Sequence, residues 1–523
     1  MEYRLGIDVG GTNTDAVILD TDDRVVSKAK YPTTRDVSTG IMKAVELVLR
    51  ESRIDPGDIV YAMLGTTHST NAIVERKGLE KVGVIRLGAP AGVAAPPFVD
   101  WPEEMLRYIG GIYRIVKGGF EYNGKLISSP DRDEIKSSLK EMKSKGIGAL
   151  AISCVFSPVN NEHELFVREI AQEIFGGDFP ISLSCEIGSI GILERENATI
   201  LNAAISKLAS SAYNSFKNVL RTHKIYADLY ITQNDGTLMS VDYACQYPVF
   251  TIASGPTNSL RGAAFLSRIS DAVVVDVGGT TTDVGILRNG FPRESTSAIE
   301  IGGVRTNFRM PDLISIGLGG GSIVAKKNNG VRVGPESVGY RIIEEAIVFG
   351  GKTLTATDCA VAMGLASIGN QEKVKDVDTK IARRACERIK EMVEEIIDRM
   401  KTTSEDVQVV LVGGGSILLP AGLKGASSVF RPEHFDVANA IGAAISQISG
   451  SIDGVFDVAT KGRSAVVEEV KEAAIREAIR AGADESSIEI VELEEIPLSY
   501  LPSNAVRFKV KAVGNLRKKT TRG

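Results

Sequence analysis

One short pattern occurs twice in this chain. Residues 7–19 read IDVGGTNTDAVIL and residues 275–287 read VDVGGTTTDVGIL, with nine of thirteen positions identical. Two copies more than half a chain apart are too few and too distant for a solenoid, so they imply two similar half-domains presenting the same turn. Within the first copy, Tyr3–Val9 and Ala16–Leu19 read as strands joined by a tight Gly10-Gly11 hairpin turn. A plain surface hairpin would not need Asp8, Thr12, Thr14 and Asp15 gathered at its tip. Two facing turns of this kind suit one small anion. Glycines let backbone N–H groups approach phosphate oxygens, and threonine hydroxyls add donors. The aspartates Asp8 and Asp276 can hold Mg²⁺ through its waters, and the metal bridges to the phosphates.

A third piece completes this set. VQVVLVGGGSILLP (407–420) is a buried strand running into Gly413-Gly414-Gly415-Ser416. An amphipathic helix around Ala382–Met400 precedes it, and FDVANAIGAAI (435–445) opens a helix of small residues suited to close packing. Two Asp-x-Gly-Gly-Thr hairpins, a glycine-triplet strand and an Ala-Ile-Gly helix in that order resemble the nucleotide-binding fold of sugar kinases, actin and heat-shock chaperones. That resemblance implies hairpins clasping phosphates and a glycine strand supporting adenosine.

Composition fits an α/β enzyme. The chain has 523 residues, 43% hydrophobic, enough for two to four domains and a large core. A net charge of −5, from 61 basic and 66 acidic residues, favours neither nucleic acid nor an anionic membrane. No apolar run reaches the roughly 20 residues of a membrane span. The N-terminus enters a strand at once, which is unlike a signal peptide, and the basic end LRKKTTRG reads as a solvated tail. Cys154, Cys185, Cys245, Cys359 and Cys386 form no C-x-x-C pair, the pattern of a reduced, cytoplasmic protein. The four histidines make no zinc-ligand spacing; His163 and His223 read as surface.

The region between the hairpins carries further polar segments. AMLGTTHSTNAIVERKG (62–78) runs from a strand end through a Gly-Thr-Thr turn into a helix that Ser69, Thr70 or Asn71 could cap. Later come Glu186 in a loop, a helix with Glu194, Arg195 and Asn202, and Ser254-Gly255-Pro256 ahead of another helix.

This order of segments resembles the hydantoinase/oxoprolinase family, in its hydantoinase A-type ATP-binding part, over residues 1 to about 450. The opening Asp-x-Gly-Gly-Thr-x-Thr-Asp matches 8–15, Gly-Thr-Thr-x-x-Thr-Asn-Ala-x-x-Glu-Arg matches 65–76, and Ser-Gly-Pro matches 254–256. The second Asp-x-Gly-Gly-Thr-x-Thr-Asp-Val matches 276–284, Ile-Gly-x-Gly-Gly-Gly-Ser matches 316–322, and Val-Gly-Pro-Glu-Ser matches 333–337. Glu194 through Ala203 corresponds with imperfect local matches, and LTATDCAVAMG (354–364) resembles a Thr-x-Thr-Asp segment.

The resemblance implies ATP chemistry on a cyclic amide or carbonyl, by phosphorylating its oxygen for ring opening or carboxylation. It implies Asp8 and Asp276 as catalytic and Mg²⁺-water-holding groups, either of which could instead be a base. Gly10, Gly11, Thr12, Asn13, Thr14 and Asp15, with Gly278, Gly279, Thr280, Thr281, Thr282 and Asp283, would grip phosphates. Gly413, Gly414, Gly415 and Ser416 would lie by the nucleoside. Thr66, Thr67, His68, Asn71, Glu186 and Arg195 are substrate candidates.

The departures weigh on the substrate. Ser184-Cys185-Glu186 stands where the family has Ser-His-Glu, and Asp312-Leu313-Ile314 where it has Asp-Ile-His. The Gly-Pro-x-Cys-Tyr-Gly-x-Gly-Gly stretch has no counterpart in VGYRIIEEAIVFGG (338–351). Cys185 reads as a buried structural cysteine, having no local cation to activate it. Two other functions stay open: a small-molecule kinase, and an ATPase activator of a partner enzyme. No cluster-forming cysteine pair is visible for the activator.

The expected architecture is two ribonuclease-H-like α/β lobes around a nucleotide cleft. The first lobe spans 1–76, an inserted α/β region 77–190, the second lobe 191–450, and a small α+β domain 451–523. The helix over 436–446 should pack back across the first lobe. A chain ending at 523 has no room for a hydrolytic half, so a second hydrolytic subunit is expected, and homo-oligomerisation stays open.

Overall fold

The computed structural model describes residues 2–34, 37–295, 299–308, 310–327, 330–498 and 505–517. Most of the basic tail, from 518 onward, lies outside them. The two repeated segments form matching hairpins in two different sheets. Tyr3–Val9 pairs antiparallel with Asn13–Leu19, and Ala272–Val277 with Thr282–Arg288. The registers coincide: Asp8 sits opposite Asp15, and Asp276 opposite Asp283. Each first strand then pairs in parallel with a strand from farther along, Ile59–Thr66 in one case and Val407–Val412 in the other. Gly65 lies beside Asp8 and Val412 beside Asp276, so the Gly-Thr-Thr turn and the glycine triplet leave their sheets at equivalent points.

The first sheet has nine strands. Outward from Val25–Pro32 run the hairpin, Ile59–Thr66, Asp228–Thr232, Thr237–Ser240, Gln447–Asp457, Ala505–Gly514 and Glu489–Pro497. This sheet runs across the expected boundaries at 191 and 450. Strands Asp228–Thr232 and Thr237–Ser240 belong to the first sheet, with Ile231 and Leu238 buried beneath it. The C-terminal β-α-β-β segment continues that sheet through parallel pairs Thr237–Gln447 and Leu238–Ile448, rather than standing apart. Motif spacing could not reveal these pairings, because strand partners here are hundreds of residues distant.

The second sheet holds Phe291–Pro292, the second hairpin, Val407–Val412 and Ala426–Phe430, with Leu313–Ile316 along the hairpin's outer strand. Helix Thr379–Met400 covers it, burying Ala382, Ala385, Ile389, Val393, Ile396, Ile397 and Met400, the stripe its 3.6-residue period marks. A four-stranded parallel sheet occupies the inserted region: Ile112–Lys117, Val82–Ala89, Ala149–Cys154 and Ile181–Leu183. The 31-residue helix Ile192–Thr222 ties these parts together. Its first half packs Ala198, Leu201 and Ile205 toward the inserted sheet, and its second half packs Tyr213, Phe216 and Leu220 under the first sheet.

Helix Ala438–Ile445 does pack across the first sheet, burying Ala440, Ile441 and Ala444 against Val17 and Leu19. Its other side meets helix Ser254–Ser267 backbone to backbone. A side chain at Gly262 would start 1.9 Å from the Ala438 carbonyl oxygen, and one at Gly442 1.9 Å from that of Asn258. Only glycine permits this approach at both crossing points. Among the described residues no helix is long and apolar enough to cross a membrane.

Candidate functional site

The tips of the hairpins meet. Thr12 Oγ1 lies 3.0 Å from Thr280 Oγ1. In each turn the first glycine N–H donates to the carbonyl three residues on, Gly10 to Asn13 and Gly278 to Thr281. None of these four tip glycines has a positive φ, so they are needed for room rather than for unusual backbone angles. At Gly279 a side chain would start 2.5 Å from Thr12 Oγ1, whereas Gly11 faces open space.

Behind the tips lie the carboxylates. Asp8 is buried and accepts from Asn258 Nδ2 at 2.9 Å and Asn439 Nδ2 at 3.0 Å. Asn439 Nδ2 also donates to Asp15 at 2.9 Å, and the Lys30 ammonium pairs with the other oxygen of Asp15. Burial pushes the Asp8 carboxyl up to about 6; Asp15 adds to this, while the two amides and Lys30 oppose it. Asp276 is pushed up to about 7, again mainly by burial, then by Asp283 and by Asp8 itself. A hydrogen bond from the Ser259 hydroxyl opposes that rise. Burial also raises Asp283, against hydrogen bonds from Ser315 and Thr281.

Two glycine segments close around the second hairpin. Gly413, at φ +81°, leaves no room for a side chain, which would start 2.2 Å from Asp276 Oδ1. Gly414–Leu418 then forms a short 3₁₀ turn, with Gly415 against the Gly278 carbonyl and the Ser416 hydroxyl buried. From the other side Gly320 N donates to Gly278 O at 3.0 Å and Gly321 N to Gly279 O at 2.7 Å.

The Gly-Thr-Thr turn sits beside Asp8. Gly65 leaves room for the Asp8–Asn258 contact, since a side chain there would start 2.2 Å from both groups. The helix after it spans His68–Glu75 with Thr67 as N-cap, which corrects the expected cap at Ser69, Thr70 or Asn71. Ser69 and Thr70 instead accept tertiary bonds from Thr251 and Ala253, and Asn71 reaches back to Thr67. His68 N donates to Thr66 Oγ1, and partial burial lowers the imidazole pKa.

Glu186 and Arg195 belong to another network. Arg195 is buried, its guanidinium donating to Ser184 Oγ and to the carbonyls of Ser189 and Cys154. Each guanidinium nitrogen thus has a partner within the protein. Glu186 accepts from Tyr247 and pairs with Arg168. Beside it Cys185 has its thiol pushed up by burial and by Glu164, so it is not a nucleophile held as thiolate. His163 is not a surface residue: it is buried, its ring lies tilted against Phe120 with centroids 4.3 Å apart, and it accepts from Gly119 N.

Sequence reasoning passed over Asn258, Ser259, Asn439, Lys30 and the role of Gly319–Gly321. Asn439 carried a signal, being the lone polar side chain in the run 437–445. Asn258 follows the Ser-Gly-Pro motif by two positions. Lys30 carried none, because its meaning comes from lying opposite Asp15 in the sheet.

With this geometry in view, two family models match: the hydantoinase/oxoprolinase N-terminal region over residues 4–175 and hydantoinase/oxoprolinase over residues 195–370. The chain belongs to the hydantoinase/oxoprolinase family. The acetophenone carboxylase gamma subunit of Aromatoleum aromaticum is 27% identical, covering 69% of this chain and 53% of its own length. The caprolactamase subunit alpha of Pseudomonas jessenii is 26% identical, covering 70% and 55% respectively. The chain thus spans little more than half the length of these relatives. The crystal structure of the ATP-dependent caprolactamase from P. jessenii superposes with a TM-score of 0.76 at 19% identity, over 99% of this chain and 88% of that one, so the two share a fold.

Proposed function

We propose that this hydantoinase/oxoprolinase family member binds ATP·Mg²⁺ between its two hairpins and transfers the γ-phosphoryl group to the oxygen of a cyclic amide or carbonyl substrate. The observation that carries this reading is the 3.0 Å meeting of Thr12 and Thr280, with Asp8 and Asp276 directly behind. On this reading each sheet is the core of a ribonuclease-H-like lobe, supported by the shared hairpin-plus-parallel-strand register. A lactam is a poor electrophile because its nitrogen feeds the carbonyl. When its oxygen attacks the γ-phosphorus, ADP leaves, and the substrate gains a good leaving group on an electrophilic carbon. The protein's part is positioning and charge neutralisation.

On this reading Asp8 and Asp276 would hold a hydrated divalent cation through its waters. Asp8 and Asp276 are held up at about 6 and about 7 by burial, and a nearby positive charge would favour their ionised forms. Bound there, Mg²⁺ would offset phosphate charge. The backbone of Gly10-Gly11-Thr12 and Gly278-Gly279-Thr280 would grip the β- and γ-phosphates, and Gly413–Ser416 would lie along the nucleoside. Thr66, Thr67, His68 and Asn71, which follow Gly65 where its strand runs beside Asp8, would be the substrate-facing group, with Glu186 as a further candidate. Ring opening or carboxylation after phosphorylation is assigned to a second subunit, in keeping with relatives that are named as subunits.

The test is phosphate release from ATP·Mg²⁺ across a panel of lactams, hydantoins and ketones. At least one compound should stimulate release. Accumulation of a stable phosphorylated compound without free phosphate would identify a kinase instead, and stimulation by none of the panel would remove the substrate class.

A further inference from the structure

The tip of the second hairpin is held from behind. Gly278 O accepts from Gly320 N at 3.0 Å, and Gly279 O from Gly321 N at 2.7 Å. A trans peptide is planar, with its C=O and its N–H on opposite sides. Tying back the carbonyls of Gly278 and Gly279 therefore turns the N–H groups of Gly279 and Thr280 away from the glycine run. Neither N–H has a hydrogen-bond partner among the described residues. Successive backbone N–H groups left free in this way make an anion-binding concavity. We propose that the segment Thr355–Asp358 anchors this arrangement, so that Thr357 and Asp358, acting through Gly320 and Gly321, are positioning residues for the phosphate donors Gly279 N and Thr280 N. The proposal rests on the ATP·Mg²⁺ reading above and names what aims the donors of its second hairpin.

Three features support it. Gly320 is gripped on its other side, its carbonyl accepting from Thr357 N at 3.0 Å and from Thr357 Oγ1 at 2.9 Å. Its backbone thus passes the hold of Thr357 on to Gly278. Next, Thr357 is itself fixed by its neighbours. Asp358 is fully buried and accepts from Val348 N at 2.7 Å, Thr355 N at 2.7 Å and Thr355 Oγ1 at 2.8 Å. These bonds close a capping box at the start of helix Ala356–Ala362 and lock the turn that carries Thr357. Finally, the glycine run has no slack. A side chain at Gly319 would start 2.5 Å from the Gly279–Thr280 peptide, and one at Gly320 2.9 Å from Thr357 Oγ1. Backbone lies on backbone behind the tip, so a displacement of Thr357 reaches both donors. The first hairpin has a shorter device: Thr33 N donates to Thr12 O and Thr33 Oγ1 to Gly10 O, each at 2.8 Å.

The test measures binding of ATP·Mg²⁺ and of adenosine to the full chain by calorimetry, since adenosine has no phosphate for these donors. Thr357→Val deletes the hydroxyl that grips Gly320 and keeps the shape of the side chain. It should weaken ATP·Mg²⁺ by about tenfold, the order of one donor lost to a charged group, and leave adenosine within about twofold. Thr357→Ser, which keeps the hydroxyl, should bind both like the parent. Hydrogen exchange on the parent needs no variant: ATP·Mg²⁺ should slow the amides of Gly279 and Thr280 by about tenfold or more. Adenosine should leave them unchanged. Undiminished ATP·Mg²⁺ affinity in Thr357→Val, a matching loss of adenosine, or amides that ATP·Mg²⁺ does not slow overturns the anchor alone. A parent that binds no ATP·Mg²⁺ overturns the nucleotide reading together with it.

Discussion

Hairpin 7–19 and hairpin 275–287 share nine of thirteen residues and the same register, yet their surroundings differ at almost every polar position. The difference comes from the third strand and from the helices. Beside the first hairpin runs Val25–Pro32, which sets Lys30 opposite Asp15. Beside the second runs Leu313–Ile316, which sets Ser315 opposite Asp283. The first pair of aspartates is thus bridged by Asn439 and paired directly with Lys30; the second has hydroxyls against it and feels Lys30 only as a more distant charge. Like charges directly opposite in a ladder repel. Both carboxyls are pushed up mainly by burial, with their opposed aspartates adding to it, Asp8 to about 6 and Asp276 to about 7. The tips differ too, Gly11 open and Gly279 covered by Thr12. The repeat supplies two equal carboxylates, and nonlocal partners surround one with two amides and a lysine-paired neighbour and the other with hydroxyls.

The largest effect should come from removing the charge of Asp276. Asp276→Asn is nearly isosteric and should keep the fold, yet lower ATP turnover by about a hundred- to a thousandfold, the cost of losing one preorganised electrostatic group. Asp8→Asn should cost less, because Asn439 and Lys30 still organise Asp15 beside it. Steady-state phosphate release by the two variants gives the ranking. Equal losses would erase the functional side of the comparison, and parental turnover in Asp276→Asn would end the role assigned to it.

Next in size is a pH effect on stability, read in EDTA. An unfolded aspartate deprotonates near its ordinary value of about 3.9, whereas in the folded chain the protons stay on until about 6 for Asp8 and about 7 for Asp276. Above the ordinary value the unfolded chain has given up protons that the folded one still binds. Stability from these groups is therefore full at low pH, falls as pH rises, and levels off above the folded values. For a shift like that of buried Asp8 the loss is on the order of 3 kcal/mol. Denaturant titrations from pH 4 to 8 should show Asp276→Asn flattening this slope more than Asp8→Asn. The reverse order would mean that Lys30 and the amides do not shield the first hairpin.

Much of this arrangement is legible in the sequence, and the unreadable part has a physical cause. Asp8, Asp276, the tip glycines and the triplet Gly413–Gly415 come together because motif residues sit at strand ends, and strand ends are local features. The amphipathic stripe of helix Thr379–Met400 is equally plain. What escaped is whatever depends on register across long separations. Lys30 gains its meaning only opposite Asp15, Asn439 only where two glycines let its helix reach Asp8, and strands 447–514 only by joining a sheet begun at residue 3. Arg195 stood out as a charged residue in a family segment, and its burial and its bond to the Ser189 carbonyl, which only the fold reveals, show it holding a loop.

The smallest difference between the hairpins lies in one hydroxyl. Thr282 Oγ1 donates to the Leu318 carbonyl at 2.7 Å, whereas the equivalent Thr14 Oγ1 is buried without a partner among the described residues. Valine matches threonine in shape and removes only the hydroxyl. At position 14 that deletes a group already costing desolvation with nothing in return, so Thr14→Val should be neutral or stabilising by up to about 1 kcal/mol. At position 282 it strands a buried carbonyl, so Thr282→Val should destabilise by about 1–2 kcal/mol. Chemical denaturation of both variants without nucleotide measures this directly. If Thr14→Val instead destabilises as much as Thr282→Val, the Thr14 hydroxyl is satisfied in solution and the hairpins are more alike than their neighbours imply. If Thr14→Val is neutral in stability yet weakens ATP binding, its hydroxyl is kept for the ligand, and the first hairpin carries the donor that the second has already committed to its own loop.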